Sequence, residues 1–261
     1  MHVVERGTGT ALVMIHGWGL DHRMLLPLDP VVEQAGGWRR IYLDLPGHGG
    51  SPAGGISSTQ QIVDAVEAEL AERLGDQPFA ILGNSFGAMV ARQIAHDRRP
   101  QVLGLATVAG AFIADAAART LPERTVIHED PAVIAALGEL GAEYTPMAVV
   151  QTREHAEAFL TSVHPGLATA DHQALGRIAE HYGLAAEPED SSPAPFRRPC
   201  LFLTGRQDQA VGYQDAWARI EHYPRATFAA LDAAGHNVHL EQPGPTGALI
   251  ADWLQRMRRY P

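Results

Sequence analysis

Residues 83–87 read Gly-Asn-Ser-Phe-Gly, and this pentapeptide decides the fold. It follows a short apolar run at residues 79–82 and opens into a helical pattern at about residues 88–95. A Gly-x-Ser-x-Gly between a strand and a helix is typical of a nucleophile elbow, a tight turn that presents the serine hydroxyl at the end of a sheet. The glycines leave room for the strand and the helix to approach each other. Taken alone, the motif is also compatible with an ordinary strand-to-helix turn.

The composition is that of a globular protein. The chain has 261 residues, of which 46% are hydrophobic and 19% charged, enough for one large α/β domain or two small ones. The formal charge of -10 argues against nucleic acid and anionic membrane surfaces as partners, and it favours solubility. The single cysteine, Cys200, excludes an intrachain disulfide and a cysteine-based metal site.

The sequence predicts no membrane partner. The chain shows no charged-then-apolar leader, and no apolar run approaches the roughly 18 residues of a membrane span. We therefore expect a cytoplasmic protein.

Apolar runs that alternate with helical patterns predict one parallel sheet with helices on both faces, an α/β fold of about seven strands. The predicted strands cover residues 1–5, 11–15, 39–43, 79–82, 102–108, 200–204 and 226–231. The alternation stops at residues 112–190, where helical stretches near 131–140, 147–162 and 169–181 predict a helical cap or lid over the strand ends. The predicted domains are a core, 1–111 and 191–261, and this cap.

Five polar residues lie just beyond the ends of predicted strands: His16, Asp44, Ser85, Asp208 and His236. In a parallel sheet, the carboxyl ends of neighbouring strands meet at one edge, where ligands bind and chemistry occurs. The last three stand in the order serine, acid, histidine. A serine needs a base to take its proton, and a base needs a partner that orients it, so this set predicts nucleophilic catalysis.

The chain resembles the α/β-hydrolase superfamily over nearly its whole length. The matching pieces, in order, are HGWG at 16–19, DLPGHG at 44–49, GNSFG at 83–87, GRQD at 205–208 and GH at 235–236. The resemblance implies Ser85 as nucleophile, His236 as general base and acid, and Asp208 as the residue that orients His236. It implies an oxyanion hole made by the backbone N–H groups of Phe86 and Trp18. It also implies a cap after the sixth strand of the family's fold, here with one fewer strand at the first edge.

Several residues have competing interpretations. Asp232 could replace Asp208 as the acid, and His239 could pair with His236 in a metal site. No third ligand accompanies that pair at a recognisable spacing, so the sequence predicts no metal and no cofactor. Trp18 could be only a wall of the pocket, and His16 is better explained as a structural hydrogen-bonding residue. Glu241 and the remaining histidines are expected to face solvent.

The leading hypothesis for the reaction is hydrolysis of a carboxylic ester of a small molecule through an acyl-enzyme. The stretch at residues 16–20 looks like that of the carrier-protein methyl ester esterases of biotin synthesis. A carrier protein would favour a basic rim, however, and the acidic composition gives no support for one.

Two alternatives remain. The elbow is similar to that of hydrolases that cleave carbon–carbon bonds in ring-opened dienones, although those enzymes often carry a tryptophan where Asn237 stands. Some proteins of this fold serve instead as ligand receptors. In each case the cap offers apolar side chains for a pocket: Phe112, Ile113, Leu137, Leu140, Tyr144, Met147, Phe159 and Leu160. Its acidic residues are expected on a solvated face, or else they recognise a cationic substrate.

Overall fold

The structure is a computed structural model that describes residues 1–192 and 194–259, so Pro193, Tyr260 and Pro261 of the predicted core lie outside it. Seven strands form one sheet in the order β1-β3-β2-β4-β5-β6-β7. β1 pairs with β3 in antiparallel fashion, and the other pairings are parallel. The predicted seven-stranded, mostly parallel sheet is confirmed. The strands are β1 Val3–Arg6, β2 Thr10–Ile15, β3 Trp38–Leu43, β4 Phe79–Asn84, β5 Val102–Val108, β6 Cys200–Gly205 and β7 Ala226–Leu231.

Helices cover both faces of the sheet, because the central strands are apolar on both sides. Neighbouring residues of β4 point to opposite faces, and Ile81 and Leu82 accordingly belong to two different hydrophobic clusters. The helices outside residues 112–190 are α1 Asp29–Ala35, α2 Thr59–Leu74, α3 Phe86–Asp97, α10 Gln214–Ala218, α11 Val238–Glu241 and α12 Pro243–Arg259. Residues of α2 and α3 join one cluster, and residues of α1 and α12 join the other.

Residues 112–190, called the cap segment below, follow β5 and are largely helical. β5 is the fifth strand of this chain. The resemblance implies that it matches the sixth strand of the family's fold, with one strand fewer at the first edge, and the sheet has the seven strands expected. The division into a core domain and a cap domain remains a prediction. The helices between β5 and β6 are α4 Pro131–Leu137, α5 Gly141–Tyr144, α6 Arg153–Ser162, α7 His164–Thr169, α8 His172–Ala179 and α9 Pro188–Ser191.

Two helices of the cap segment are shorter than their sequence patterns suggest. The helix predicted from residue 147 begins only at Arg153, where the Thr152 hydroxyl accepts a hydrogen bond from the His155 N–H. Before it the chain forms a turn at residues 145–147 and an irregular stretch, in which Val150 and His128 form an isolated β-bridge. α8 begins after Asp171, whose carboxylate accepts a hydrogen bond from the Ala174 N–H. In both places a polar N-cap residue sets the start of the helix, several residues after the apolar pattern begins.

A buried arginine holds both ends of the cap segment against α3. Arg92 is 0% exposed and donates hydrogen bonds to the backbone oxygen of Ala111 at 3.1 Å, Glu187 at 2.8 Å and Glu189 at 2.9 Å. Ala111 precedes the segment, while the two glutamates lie at its far end. Since α3 follows the elbow directly, this network fixes where the chain leaves and rejoins the sheet around the candidate nucleophile.

Across residues 1–192 and 194–259, every helix falls short of the length and apolarity that a bilayer crossing requires.

We predict that Arg92→Met lowers the free energy of unfolding by about 3–5 kcal/mol, because it leaves the Glu189 carboxylate buried without its cation. Urea unfolding followed by circular dichroism measures the change. The matched control is Gln93→Ala on the same helix, which removes only an exposed hydrogen bond to Asp97 and is expected to stay within about 0.5 kcal/mol of wild type. Equal effects of the two substitutions would contradict the buried ion pair.

The Arg92–Glu189 ion pair also predicts that the free energy of unfolding falls in acid. Burial alone would raise the pKa of Glu189, but the Arg92 guanidinium lowers it to about 2, from 4.5. A carboxylate whose pKa is lower in the folded state stabilises the fold above its unfolded pKa, and this contribution is lost as pH falls from about 4.5 towards 2. Urea midpoints at pH 6, 4 and 3 should fall more steeply for wild type than for Arg92→Met. The same pH dependence of the urea midpoint in both proteins would show that the Arg92–Glu189 pair does not contribute to the loss of stability in acid.

Candidate active site

Ser85 sits on a strained turn between β4 and α3, as the motif predicts. Its φ of 51° and ψ of -116° lie in a region that residues with a Cβ rarely adopt. The neighbouring β5 strand supports the turn, because the Ser85 N–H donates to the Val108 oxygen at 3.0 Å. Glycine is required on both sides: a Cβ on Gly83 would lie 2.3 Å from the Gly87 oxygen, and a Cβ on Gly87 would lie 2.3 Å from the His16 oxygen.

The structure brings Ser85, His236 and Asp208 together in one hydrogen-bonded line. His236 Nε2 is 2.9 Å from Ser85 Oγ, and His236 Nδ1 is 3.0 Å from Asp208 Oδ2. Asp208 is fully buried, and its Oδ1 accepts hydrogen bonds from the N–H groups of Ala210 at 2.8 Å and Val211 at 3.1 Å. A carboxylate held in this way fixes the imidazole with one nitrogen towards the serine, so His236 can take the serine proton.

Trp18 and Phe86 also lie beside Ser85, on two different segments. Phe86 is the first residue of α3, where backbone N–H groups have no partner inside the helix. Trp18 belongs to the loop after β2, and its ring meets that of Phe86 edge to face at 5.1 Å between centroids. Trp18 also lines the cavity above Ser85, so it is a pocket wall. The oxyanion role of its N–H stays a prediction.

His16 supports the Trp18 loop and is not aimed at Ser85. Its Nδ1 donates to the Gly17 oxygen at 2.8 Å, and its Nε2 accepts from the Leu45 N–H at 3.0 Å. Burial lowers the pKa of His16, which favours a neutral ring with one hydrogen bond at each nitrogen. The structural interpretation of His16 is confirmed.

The two rival assignments do not fit the geometry. Asp232 is exposed and accepts a hydrogen bond from Gln207 Nε2 at 2.8 Å, whereas His236 Nδ1 bonds to Asp208. His239 is buried, and its Nε2 donates to the Met24 oxygen at 2.8 Å. It therefore does not combine with His236 into a metal site.

One group of potential metal ligands stands elsewhere, among the residues that the structure describes. The donor atoms of His2, His22 and Asp44 lie within 4.8 Å of one another. Each histidine Nδ1 is 2.8 Å from an oxygen of Asp44, so the three side chains satisfy one another without an ion. Burial would raise the pKa of Asp44, but hydrogen bonds from His22 and the Gly50 N–H hold it well below its usual range.

Glu241 was expected to face solvent, and this prediction is wrong. The side chain is buried, with Oε2 accepting from the Gly235 N–H at 2.6 Å and Oε1 from the Val149 N–H at 2.7 Å. Burial raises the pKa of Glu241, and these backbone donors oppose part of the shift. Glu241 thus ties the loop that carries His236 to the cap segment. The available sequence signal was its place at the end of a short apolar helix, where a carboxylate needs a partner.

The same expectation is wrong for two of the remaining histidines. His48 and His96 are both buried. His48 Nδ1 is 3.0 Å from the nearby Pro46 oxygen, whereas His96 Nε2 is 3.2 Å from the hydroxyl of the distant Tyr223.

A cavity of about 710 Å³ opens above Ser85 and His236. Of the apolar cap residues expected to offer pocket walls, Met147 and Phe159 line it, whereas Phe112 and Tyr144 are buried in hydrophobic clusters. The lining also includes residues that sequence reasoning did not single out: Leu20, Arg119, Val163, Leu167, Ala179 and Tyr182.

The sheet, the strained serine turn and the hydrogen-bonded line define the α/β-hydrolase class of proteins. The Alpha/beta hydrolase family model matches residues 12–248, and the chain belongs to this family. The predicted resemblance is confirmed.

Individual relatives are more distant. The chain is 26% identical over 244 residues to a pimeloyl-[acyl-carrier protein] methyl ester esterase of Aeromonas hydrophila, covering 92% of this chain and 94% of that protein. It is 28% identical over 266 residues to the biotin biosynthesis bifunctional protein BioHC of Cellvibrio japonicus, covering 96% of this chain but only 48% of that longer protein. The crystal structure of an alpha/beta superfamily hydrolase from Oenococcus oeni PSU-1 superposes with a TM-score of 0.92 at 25% identity, covering 98% of this chain and 96% of that one.

We predict that Glu241→Gln slows labelling of Ser85 by a fluorophosphonate and lowers the free energy of unfolding by about 1–3 kcal/mol. A carboxamide has one acceptor oxygen, so it cannot serve Gly235 and Val149 together, and its NH₂ group faces a donor. Labelling is followed by intact-protein mass spectrometry. Glu157→Gln, an exposed change on α6, is the control. Wild-type labelling and stability in Glu241→Gln would show that the link does not position His236.

Proposed function

We propose that this protein is a serine esterase that cleaves a carboxylic ester through an acyl-enzyme intermediate. The observation that carries the proposal is the line from Ser85 Oγ through His236 to buried Asp208, with contacts of 2.9 and 3.0 Å. A strained serine turn with an adjacent imidazole and an orienting carboxylate is what acyl transfer requires. Relatives named as methyl ester esterases support the same reaction.

In the first half-reaction, Ser85 Oγ attacks the ester carbonyl carbon while His236 Nε2 takes the hydroxyl proton. The carbonyl oxygen becomes an oxyanion, and the N–H groups of Phe86 and Trp18 stabilise it. Asp208 stabilises the imidazolium that forms. When the tetrahedral intermediate collapses, the bond to the alcohol oxygen breaks and His236 returns the proton to that oxygen.

The second half-reaction repeats these steps with water as the nucleophile. His236 takes a proton from water, the new oxygen–carbon bond forms, and the proton returns to Ser85 Oγ as the acid leaves. Each turnover consumes one ester and one water and releases one acid and one alcohol, so no cofactor is needed.

The substrate is proposed to be small and largely apolar, in keeping with a cavity of about 710 Å³ walled by Leu20, Phe159 and Val163. The cap segment, which supplies Met147 and Phe159, is proposed to act as the lid of this cavity. A methyl ester on a carrier protein is a narrower form of the proposal. The relatives' names and the loop at residues 16–20 support it, whereas the charge of -10 does not. The cytoplasmic location remains a prediction.

We expect p-nitrophenyl esters of increasing acyl length to show an initial burst followed by steady turnover. Ser85→Ala should lower the rate by about 10⁴-fold or more, because the nucleophile is lost while binding remains. Stopped-flow absorbance measures both phases, and Thr107→Val, a buried change on β5, controls for general disturbance of the sheet. Full activity in Ser85→Ala would refute the acyl-enzyme route.

A further inference from the structure

A guanidinium group stands in the wall of the cavity above Ser85. Arg119 lines this cavity, and three backbone oxygens hold its side chain from two sides. Its Nε donates to Ile113 at 2.9 Å, its Nη2 to Ala114 at 3.0 Å and its Nη1 to Ala210 at 2.9 Å. Ala114 and Ala210 line the same cavity. The guanidinium is therefore a rigid part of the wall and not a mobile surface cation.

The positive charge of Arg119 lacks a counter-charge among residues 1–192 and 194–259, where no carboxylate forms an ion pair with it at 4.0 Å or less. Carbonyl oxygens solvate a cation but do not neutralise it. A guanidinium has five N–H donors, and the three carbonyls use three of them. The Tyr182 hydroxyl accepts a further hydrogen bond from Arg119, which leaves one N–H for a ligand.

A second donor lies next to it. Tyr182 lines the cavity, and burial raises the pKa of its hydroxyl while nearby Arg119 opposes part of that shift. The phenol is therefore protonated at neutral pH and can donate. Its ring packs against those of Phe86 at 5.1 Å and Trp18 at 5.2 Å between centroids. Tyr182 thus connects the Arg119 wall to the residues that flank Ser85.

We propose that Arg119 and Tyr182 form a carboxylate-binding subsite, so that the substrate is an ester that also carries an ionised carboxylate, such as a half-ester of a dicarboxylic acid. The inference rests on the proposed esterase function. The remaining guanidinium N–H and the Tyr182 O–H can each donate to one oxygen of a carboxylate, and the positive charge of Arg119 strengthens the pair. The remaining wall is mostly apolar and fits the methylene chain between the two functional groups.

Two carboxylates also line the cavity, and both are already engaged. Asp115 is exposed and accepts a hydrogen bond from the Ala117 N–H at 2.9 Å. Glu143 is exposed and lies 3.1 Å from His164 Nδ1. Solvent screens both charges, whereas Arg119 is partly buried. Beside Arg119, the attraction of the guanidinium for an anion therefore exceeds the repulsion from Asp115 and Glu143.

The test compares kcat/KM within two pairs of esters. In the first pair, monomethyl adipate and neutral dimethyl adipate, the carboxylate lies on the acyl side of the ester. In the second pair, the acetate ester of a hydroxy acid and the methyl ester of that compound, the carboxylate lies on the alcohol side. Wild type should favour the anionic member of one pair by about 10- to 100-fold, mainly through KM. Arg119→Gln should lower this ratio at least 10-fold, Arg119→Lys should restore part of it, and Tyr182→Phe should lower it less. Arg177→Gln, an exposed change on α8, should leave the ratio unchanged.

The ratio separates binding from folding, because a structural defect lowers the activity on both members of a pair together. Equal kcat/KM for anionic and neutral esters in wild type, or an unchanged ratio in Arg119→Gln, would overturn the subsite while leaving the esterase intact. If no ester is turned over, adipate protection of Ser85 from fluorophosphonate decides. Protection in wild type that is lost in Arg119→Gln supports the subsite without the esterase, and the absence of protection rejects it.

Discussion

Three backbone segments meet at the elbow with no space for a side chain between them, and the candidate site depends on this contact. A Cβ on Gly83 or Gly87 would meet a backbone oxygen at 2.3 Å. The close approach holds the turn of Ser85 in a conformation that costs of order 1–3 kcal/mol, and the hydrogen bond to β5 helps to offset that cost. Since the same contact brings the His16 loop against α3, it also sets where Trp18 lies relative to Phe86.

The sequence was most informative where a short-range pattern and a topological rule coincide. Ser85, Asp208 and His236 are far apart in the chain, but each follows a strand of one parallel sheet, and that rule alone brings them to one edge. The apolar runs that form the strands are continuous because both faces are covered, so they stand out from the amphipathic helices. Fold and candidate site were therefore predictable together, down to the single missing edge strand.

The features that were missed depend on contacts between distant segments. Glu241 looks like a solvent-facing acid in its own neighbourhood, and only the folded chain brings the N–H groups of Gly235 and Val149 to it. The irregular stretch before α6 has an apolar pattern compatible with a helix, but its backbone hydrogen-bonds to Glu241 and forms a bridge with His128. Arg119 carried no motif at all, and its place in the cavity wall follows from three carbonyls on two loops.

The buried Arg92 has a consequence for how this family member can vary. It bonds both to Ala111, where the chain leaves the sheet, and to Glu187 and Glu189, where it returns. Arg92 thereby holds the two ends of residues 112–190 close together. Each doubling of the length of such a loop raises the entropic cost of closing it by only about 0.6 kcal/mol. Changes in the length of residues 112–190 therefore add little closure cost, so this segment can vary between family members while the turn of the candidate nucleophile stays the same.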